Sequence, residues 1–121
     1  MRFGRGAVLG ASLLSFAPVA QAANQDFTIV NRTGYEINDI WVSRASSNDW
    51  GRELMGRGNT LSDGESFDVS FANGTRACRF DLKVRYTDDE TAVWTNMDIC
   101  SISRVSLFYD RKAGGTRART E

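Results

Sequence analysis

The chain contains no histidine, only two cysteines and a single proline among its 121 residues, and its 15 basic side chains are matched by 15 acidic ones. Each shortage removes a class of chemistry. Without histidine there is no Ser-His-Asp triad and no imidazole base working near neutral pH. A structural zinc site draws four Cys or His ligands, and the chain offers two. A thiol nucleophile needs a neighbouring base to form its thiolate, and the usual base is missing. Neither a glycine-rich phosphate loop nor a dinucleotide fingerprint occurs. The balanced charge gives no basic excess of the kind that nucleic acid or an anionic membrane rewards.

Long hydrophobic runs are also scarce. The longest, residues 7–17, follows Arg2 and Arg5 and is closed by Pro18 and by Ala20-Gln21-Ala22. It is well short of the roughly 20 residues a membrane helix needs. The layout is that of a secretory signal peptide cleaved after Ala22. Arg2 and Arg5 are not adjacent, so a twin-arginine route has no support. Removing 22 residues from 121 leaves 99, which suits one domain with one core. The two lost arginines bring the formal charge to about −2. The expected organisation is a signal peptide at 1–22, a β-sandwich domain at 23–111 and a flexible tail at 112–121, in a protein that is periplasmic or secreted.

The remaining pattern has period two. Cys78, Phe80, Leu82, Val84 and Tyr86 alternate with Arg79, Asp81, Lys83 and Arg85, and the same alternation marks Phe67-Val69-Phe71 and Val105-Leu107-Tyr109. Residues 27–31 and 37–43 are rich in β-branched and aromatic side chains. Turn residues separate these runs at 31–34, 62–64 and 73–74. The expected fold is all-β, a single antiparallel β-sandwich of six to eight short strands. Only residues 48–55 could hold a helical turn. If residues 87–90 form a hairpin loop, Val84 faces Val93, Leu82 faces Thr95, Phe80 faces Met97 and Arg79 faces Asp98. Cys100 then lies one position past Cys78, and a bend or bulge is needed to join the sulfurs. In an exported chain two cysteines read as one disulfide, Cys78–Cys100, stabilising the fold by roughly 3 kcal/mol through closure of its loop.

The side chains that could act on a ligand fall into two groups. Asp63, Asp88, Asp89 and Glu90 are oxygen donors of the type calcium takes, or a carboxylate pair of the type that cleaves glycosides, although three acids at a hairpin tip also make an ordinary solvated turn. The aromatic group comprises Trp94 and Phe108, on the outward parity of their strands, Trp41, which either parity fits, and Trp50 and Tyr35 in loops. An exposed aromatic row would stack sugars or meet a protein, although parity tells only which side a residue points to, and loops and the second sheet are as able to cover these rings. The loop at 46–58 offers Trp50 as an anchor, with Arg52 and Arg57 as partners for an acidic cleft. Asn31-Arg32-Thr33 and Asn73-Gly74-Thr75 match the glycosylation acceptor pattern.

The stretches FTIVNRTGYEINDIWVS, DWGRELMG, LSDGESFDVSF, CRFDLKVRYTDDE and DIC together resemble a group of small exported bacterial β-sandwich proteins of unknown function, often labelled only as Tat pathway signal proteins. The markers are Asn31, Thr33, Gly34, Trp50, Gly51, Leu54, Gly64, Cys78, Asp81, Leu82 and Cys100. The resemblance implies export and a disulfide-bonded sandwich, and carries no activity with it. The chain departs from the group in lacking twin arginines and in placing Asp89 where a turn glycine is expected. These features together point to a non-enzymatic exported binding protein with no cofactor, working in the periplasm or outside the cell, a loop-based hydrolase inhibitor being one form. The alternative is a calcium-dependent carbohydrate-binding module.

Overall fold

In the computed structural model, which describes residues 25–71 and 77–121, the described residues form seven strands. They are β1 (Phe27–Asn31), β2 (Ile37–Arg44), β3 (Ser66–Val69), β4 (Arg79–Tyr86), β5 (Thr91–Asp98), β6 (Arg104–Asp110) and β7 (Gly115–Thr120). The expected signal peptide and the turn at Asn73-Gly74 lie outside the described residues. One sheet has the order β3-β1-β6-β7 and the other β2-β4-β5. Pairing is antiparallel throughout except between β1 and β6, which run parallel with Thr28 opposite Arg104. Phe27, Ile29, Val69, Val105 and Leu107 from the first sheet pack with Ile40, Phe80, Leu82, Val84 and Tyr86 from the second in one buried cluster.

The β4–β5 hairpin holds the expected register at one end only. Arg79 faces Asp98 and Phe80 faces Met97, but Leu82 then faces Trp94 and Val84 faces Ala92. Two departures compensate each other. Asp89 adopts φ 71°, the left-handed conformation glycine favours, and this allows a tight loop in which the Tyr86 N–H donates to the Glu90 carbonyl at 2.8 Å. Further along, a bulge sets Thr95 and Asn96 against Asp81 alone, with Asn96 at φ 59°. A bulge leaves a backbone N–H without a ladder partner, and here Asp81 supplies one: its Oδ1 accepts from the Asn96 N–H at 2.8 Å. Its Oδ2 accepts from the Ser46 N–H at 3.0 Å, fixing the turn after β2. The extra residue reverses the parity of β5, so Trp94 points into the core instead of outward, and Val93, expected inside, is 37% exposed.

Asn31 is the polar counterpart at the other end of the sandwich. It is fully buried. Its Nδ2 donates to the carbonyls of Tyr35 and Leu61 at 2.8 and 2.9 Å, and its Oδ1 accepts from the Thr33 N–H and hydroxyl at 3.0 and 2.6 Å. One side chain thereby ties the β1–β2 turn to the segment before β3, and Asp63 adds a bond from the Gly34 N–H at 2.8 Å, with Gly34 at φ 85°. With both amide protons engaged inside the protein, Asn31 is not an accessible glycosylation acceptor in the folded chain.

The C-terminal residues are not a loose tail. β7 pairs with β6 from Val105–Thr120 to Asp110–Gly115, so the sandwich extends beyond residue 111. Of β7, only Ala118 is even half-buried, which is why no apolar period announces the strand: backbone pairing holds it. The Trp94 indole Nε1 donates to the Arg117 carbonyl at 2.9 Å and the Thr116 hydroxyl to the Val93 carbonyl at 3.0 Å, joining the edges of the two sheets. Residues 48–55 form bends, not a helical turn. Glu53 accounts for this: its carboxylate accepts from the N–H groups of Ile40, Met55 and Gly56 at 2.8–2.9 Å, drawing the segment along the free edge of β2. Cys78 and Cys100 are disulfide-bonded, Cys100 reached by a turn that follows β5.

Asp81→Ala is expected to lower unfolding free energy by about 2–3 kcal/mol, since two backbone donors lose their acceptor together; urea denaturation measures it. Replacing both cysteines by alanine is expected to cost about 3 kcal/mol in the same assay.

Candidate functional site

The outer face of the β2-β4-β5 sheet brings together two of the aromatic side chains that the sequence marks for recognition, Trp41 and Trp50. Outward positions of β4 alternate as Asp81, Lys83 and Arg85, and Lys83 lies opposite Trp41 on one side and Val93 on the other. The Lys83 ammonium is 4.8 Å from the Trp41 ring centroid and 5.1 Å from that of Trp50, so two indoles flank one cation. Trp41 belongs to a strand. Trp50 is carried there by the loop, through positive φ values at Ser46, Asn48 and Gly51 and through the anchors at Asp81 and Glu53. Met55 roots the same loop in the core. Both indoles remain half-exposed.

Arg52 and Arg57 are exposed on this loop. Arg57 borders a shallow cleft of about 420 Å³ together with Asp39, Glu53 and Arg85. Arg85 is ion-paired with Asp39 and, at 2.6 Å, with Asp89. The other aromatics go elsewhere. Trp94 is in the core, and Phe108 lies on the opposite face of the sandwich beneath the guanidinium groups of Arg117 and Arg119, 4.3 and 5.9 Å from its ring centroid.

The acidic hairpin tip is a cross-linked corner. Arg111, at the end of β6, reaches Asp88 at 2.5 Å and Glu90 at 3.2 Å, and the Tyr109 hydroxyl donates to Glu90 at 3.0 Å. The Arg111 guanidinium also sits 3.9 Å from the Tyr35 ring centroid, and the rings of Tyr35, Tyr86 and Tyr109 pack against one another at 5.4–6.4 Å. Asp63 is spent on Gly34. The four acids therefore face arginines and backbone N–H groups, and no three of them converge on a common point. Among the described residues, the three acid or thiol side chains that do converge are Cys78, Asp98 and Cys100, with the two sulfurs bonded to each other.

Electrostatics at this corner follow the contacts. The hydrogen bond from Arg111 holds the Asp88 carboxyl below the usual carboxylate range, helped by the Glu90 N–H. Burial raises the Tyr109 phenol, and its bond to Glu90 raises it further. Burial pushes the Tyr86 phenol well above the ordinary tyrosine range, against a smaller pull from the Thr33 hydroxyl.

Sequence reasoning missed Lys83 and Arg111. Lys83 stood in the outward row of β4, where a cation between two indoles gives no local signature. Arg111 adjoined a segment expected to be loose, so nothing linked it to acids some twenty positions earlier.

No family model matches the chain, and a search of characterised proteins finds no match. Among solved structures, the chain is similar to one described as the NMR structure of a protein from Eubacterium rectale, at 18% identity over 81% of this chain and 88% of that one, with a TM-score of 0.56. At that identity the likeness concerns the fold alone.

Arg111→Gln is expected to return the Asp88 carboxyl toward its ordinary value, followed by carbon-detected NMR titration. Because the folded value is depressed, the contact's contribution is present above about pH 4 and lost as pH falls through the folded value. The acid limb of a stability profile should therefore flatten in this variant.

Proposed function

We propose that the protein acts outside the cytoplasm as a non-enzymatic binding protein, engaging a protein partner through the loop at 46–58 and the adjoining row of Trp41, Lys83 and Trp50. The observation that carries this reading is the clasp of two half-exposed indoles about the Lys83 ammonium, on a sheet face whose neighbouring loop is pinned at Ser46 by Asp81 and at residues 53–56 by Glu53. Tryptophan and arginine are the residues that most often dominate binding energy at protein interfaces. A loop already fixed to its sheet avoids much of the ordering cost of association. Arg52 and Arg57 extend the surface with exposed cations, which suits a partner that presents an acidic cleft, and a secreted hydrolase held inactive by this loop fits that description. The disulfide supports an oxidising compartment.

A calcium-dependent sugar-binding role draws less support, because Asp88, Asp89 and Glu90 already face Arg111 and Arg85. Millimolar calcium is accordingly expected to leave the melting temperature unchanged. A rise abolished by Asp88→Asn combined with Asp89→Asn would favour the sugar-binding reading instead.

Capture from envelope extracts with wild-type protein, Trp50→Ala and Lys83→Ala, followed by hydrolase assays on each captured partner, tests the proposal. The expected result is a partner recovered by wild type whose recovery falls about tenfold or more with Trp50→Ala, the loss typical of an anchoring indole. Equal recovery by all three proteins would remove the reading.

A further inference from the structure

The opposite face of the sandwich carries a second, chemically distinct arrangement. Asn31 continues the parallel register of β1 opposite Leu107, and the Arg32 N–H donates to the Leu107 carbonyl at 2.9 Å. Arg32 is thereby set beside Phe108, which is paired in turn with Arg117 on β7. Arg32, Phe108 and Arg117 line a cleft of about 340 Å³ with Tyr109, Thr116 and Asp110, whose carboxylate accepts from the Ala113 N–H at 3.3 Å. Arg119, two residues along β7, lies on the same face, about 7 Å from Arg117 by strand geometry.

Two features of these arginines bear on anion binding. Arg85, Arg104 and Arg111 are ion-paired, whereas Arg32, Arg117 and Arg119, like Arg44, Arg52, Arg57 and Arg79, have no carboxylate within 4 Å among the described residues. Arg117 and Arg119 are also held over the Phe108 ring, at 4.3 and 5.9 Å. A guanidinium restrained by an aromatic ring keeps its forked N–H donors while having less freedom to lose on binding. The charge is local: the domain as a whole is slightly acidic once residues 1–22 are set aside, so these three arginines are a cationic cluster on a non-basic protein.

We propose that this cleft is a phosphate-binding site, which takes the doubly charged group of a phosphate monoester between Arg32 and Arg117, with Arg119 as an auxiliary donor. A tetrahedral dianion matches the bidentate geometry of arginine. The site lies on the far side of the sandwich from Trp41 and Trp50, so it is independent of the proposed partner surface.

Isothermal titration calorimetry at low and at physiological ionic strength tests the site with two probes: glucose 6-phosphate, and phosphatidylcholine vesicles with and without phosphatidic acid. Binding of the sugar phosphate identifies a soluble ester, and binding only of vesicles containing phosphatidic acid identifies a lipid headgroup. Either supports the site. Arg117→Gln is expected to weaken the positive arm about tenfold, as removal of one charge-assisted contact does. Phe108→Leu, which leaves every charge in place, is expected to weaken it several-fold by freeing the two guanidinium groups. Arg44→Gln, an exposed cation on the other sheet, serves as the control for diffuse attraction, and circular dichroism checks that each variant is folded. No heat with either probe would overturn the proposal. So would an equal loss in Arg44→Gln and Arg117→Gln, which would mean attraction without a site.

Discussion

A single carboxylate, that of Asp81, accepts two backbone N–H groups and decides how the second sheet is arranged. One oxygen meets the N–H freed by the β5 bulge and the other fixes the turn after β2. The bulge turns Trp94 inward, where its indole reaches the Arg117 carbonyl and joins the sheet edges. The turn sets the start of the loop that delivers Trp50 to Lys83. Lateral closure and the presentation of the indole pair thus depend on the same buried acid. Such a group is held by hydrogen bonds, which are worth most when the acceptor is charged and the donors have no alternative.

Asn31 plays the corresponding part at the opposite end, and the two residues illustrate how a short β domain manages irregularity. Regular strands satisfy their own backbone groups; bulges and tight connections do not. Here each irregular segment is assigned a side chain with enough acceptors or donors to complete it: Asp81 for the bulge, Glu53 for the edge of β2, Asn31 for the crossing turns. These residues are buried or half-buried although polar, which is costly unless every bond is made.

Much of this was legible in the sequence, and the remainder was hidden for identifiable reasons. Alternation along β3, β4 and β6 marked the inward residues correctly, and the pair Phe80–Met97 was recovered because a shortened loop at Asp89 and the bulge at Asn96 offset each other. Parity beyond a bulge cannot be read from alternation, which is why alternation gives Trp94 the outward parity and Val93 the inward one. β7 escaped notice because Gly115-Thr116-Arg117-Ala118-Arg119-Thr120 buries almost nothing and is held by its partner strand. The acidic tip looked like a cation site because its counter-ions, Arg85 and Arg111, come from other places in the chain.

The parallel pairing of β1 with β6 has a consequence for how the chain acquires its shape. β1 lies in the interior of its sheet, bonded to β3 on one side and to β6 on the other. For a polypeptide that emerges N-terminus first, this earliest strand stays incomplete until nearly all the later sequence has appeared. Contacts so distant along the chain slow collapse to the final state. The side of β1 that meets β6 therefore keeps its backbone donors and acceptors open until residues 104–107 are made, and only then does the sheet become continuous.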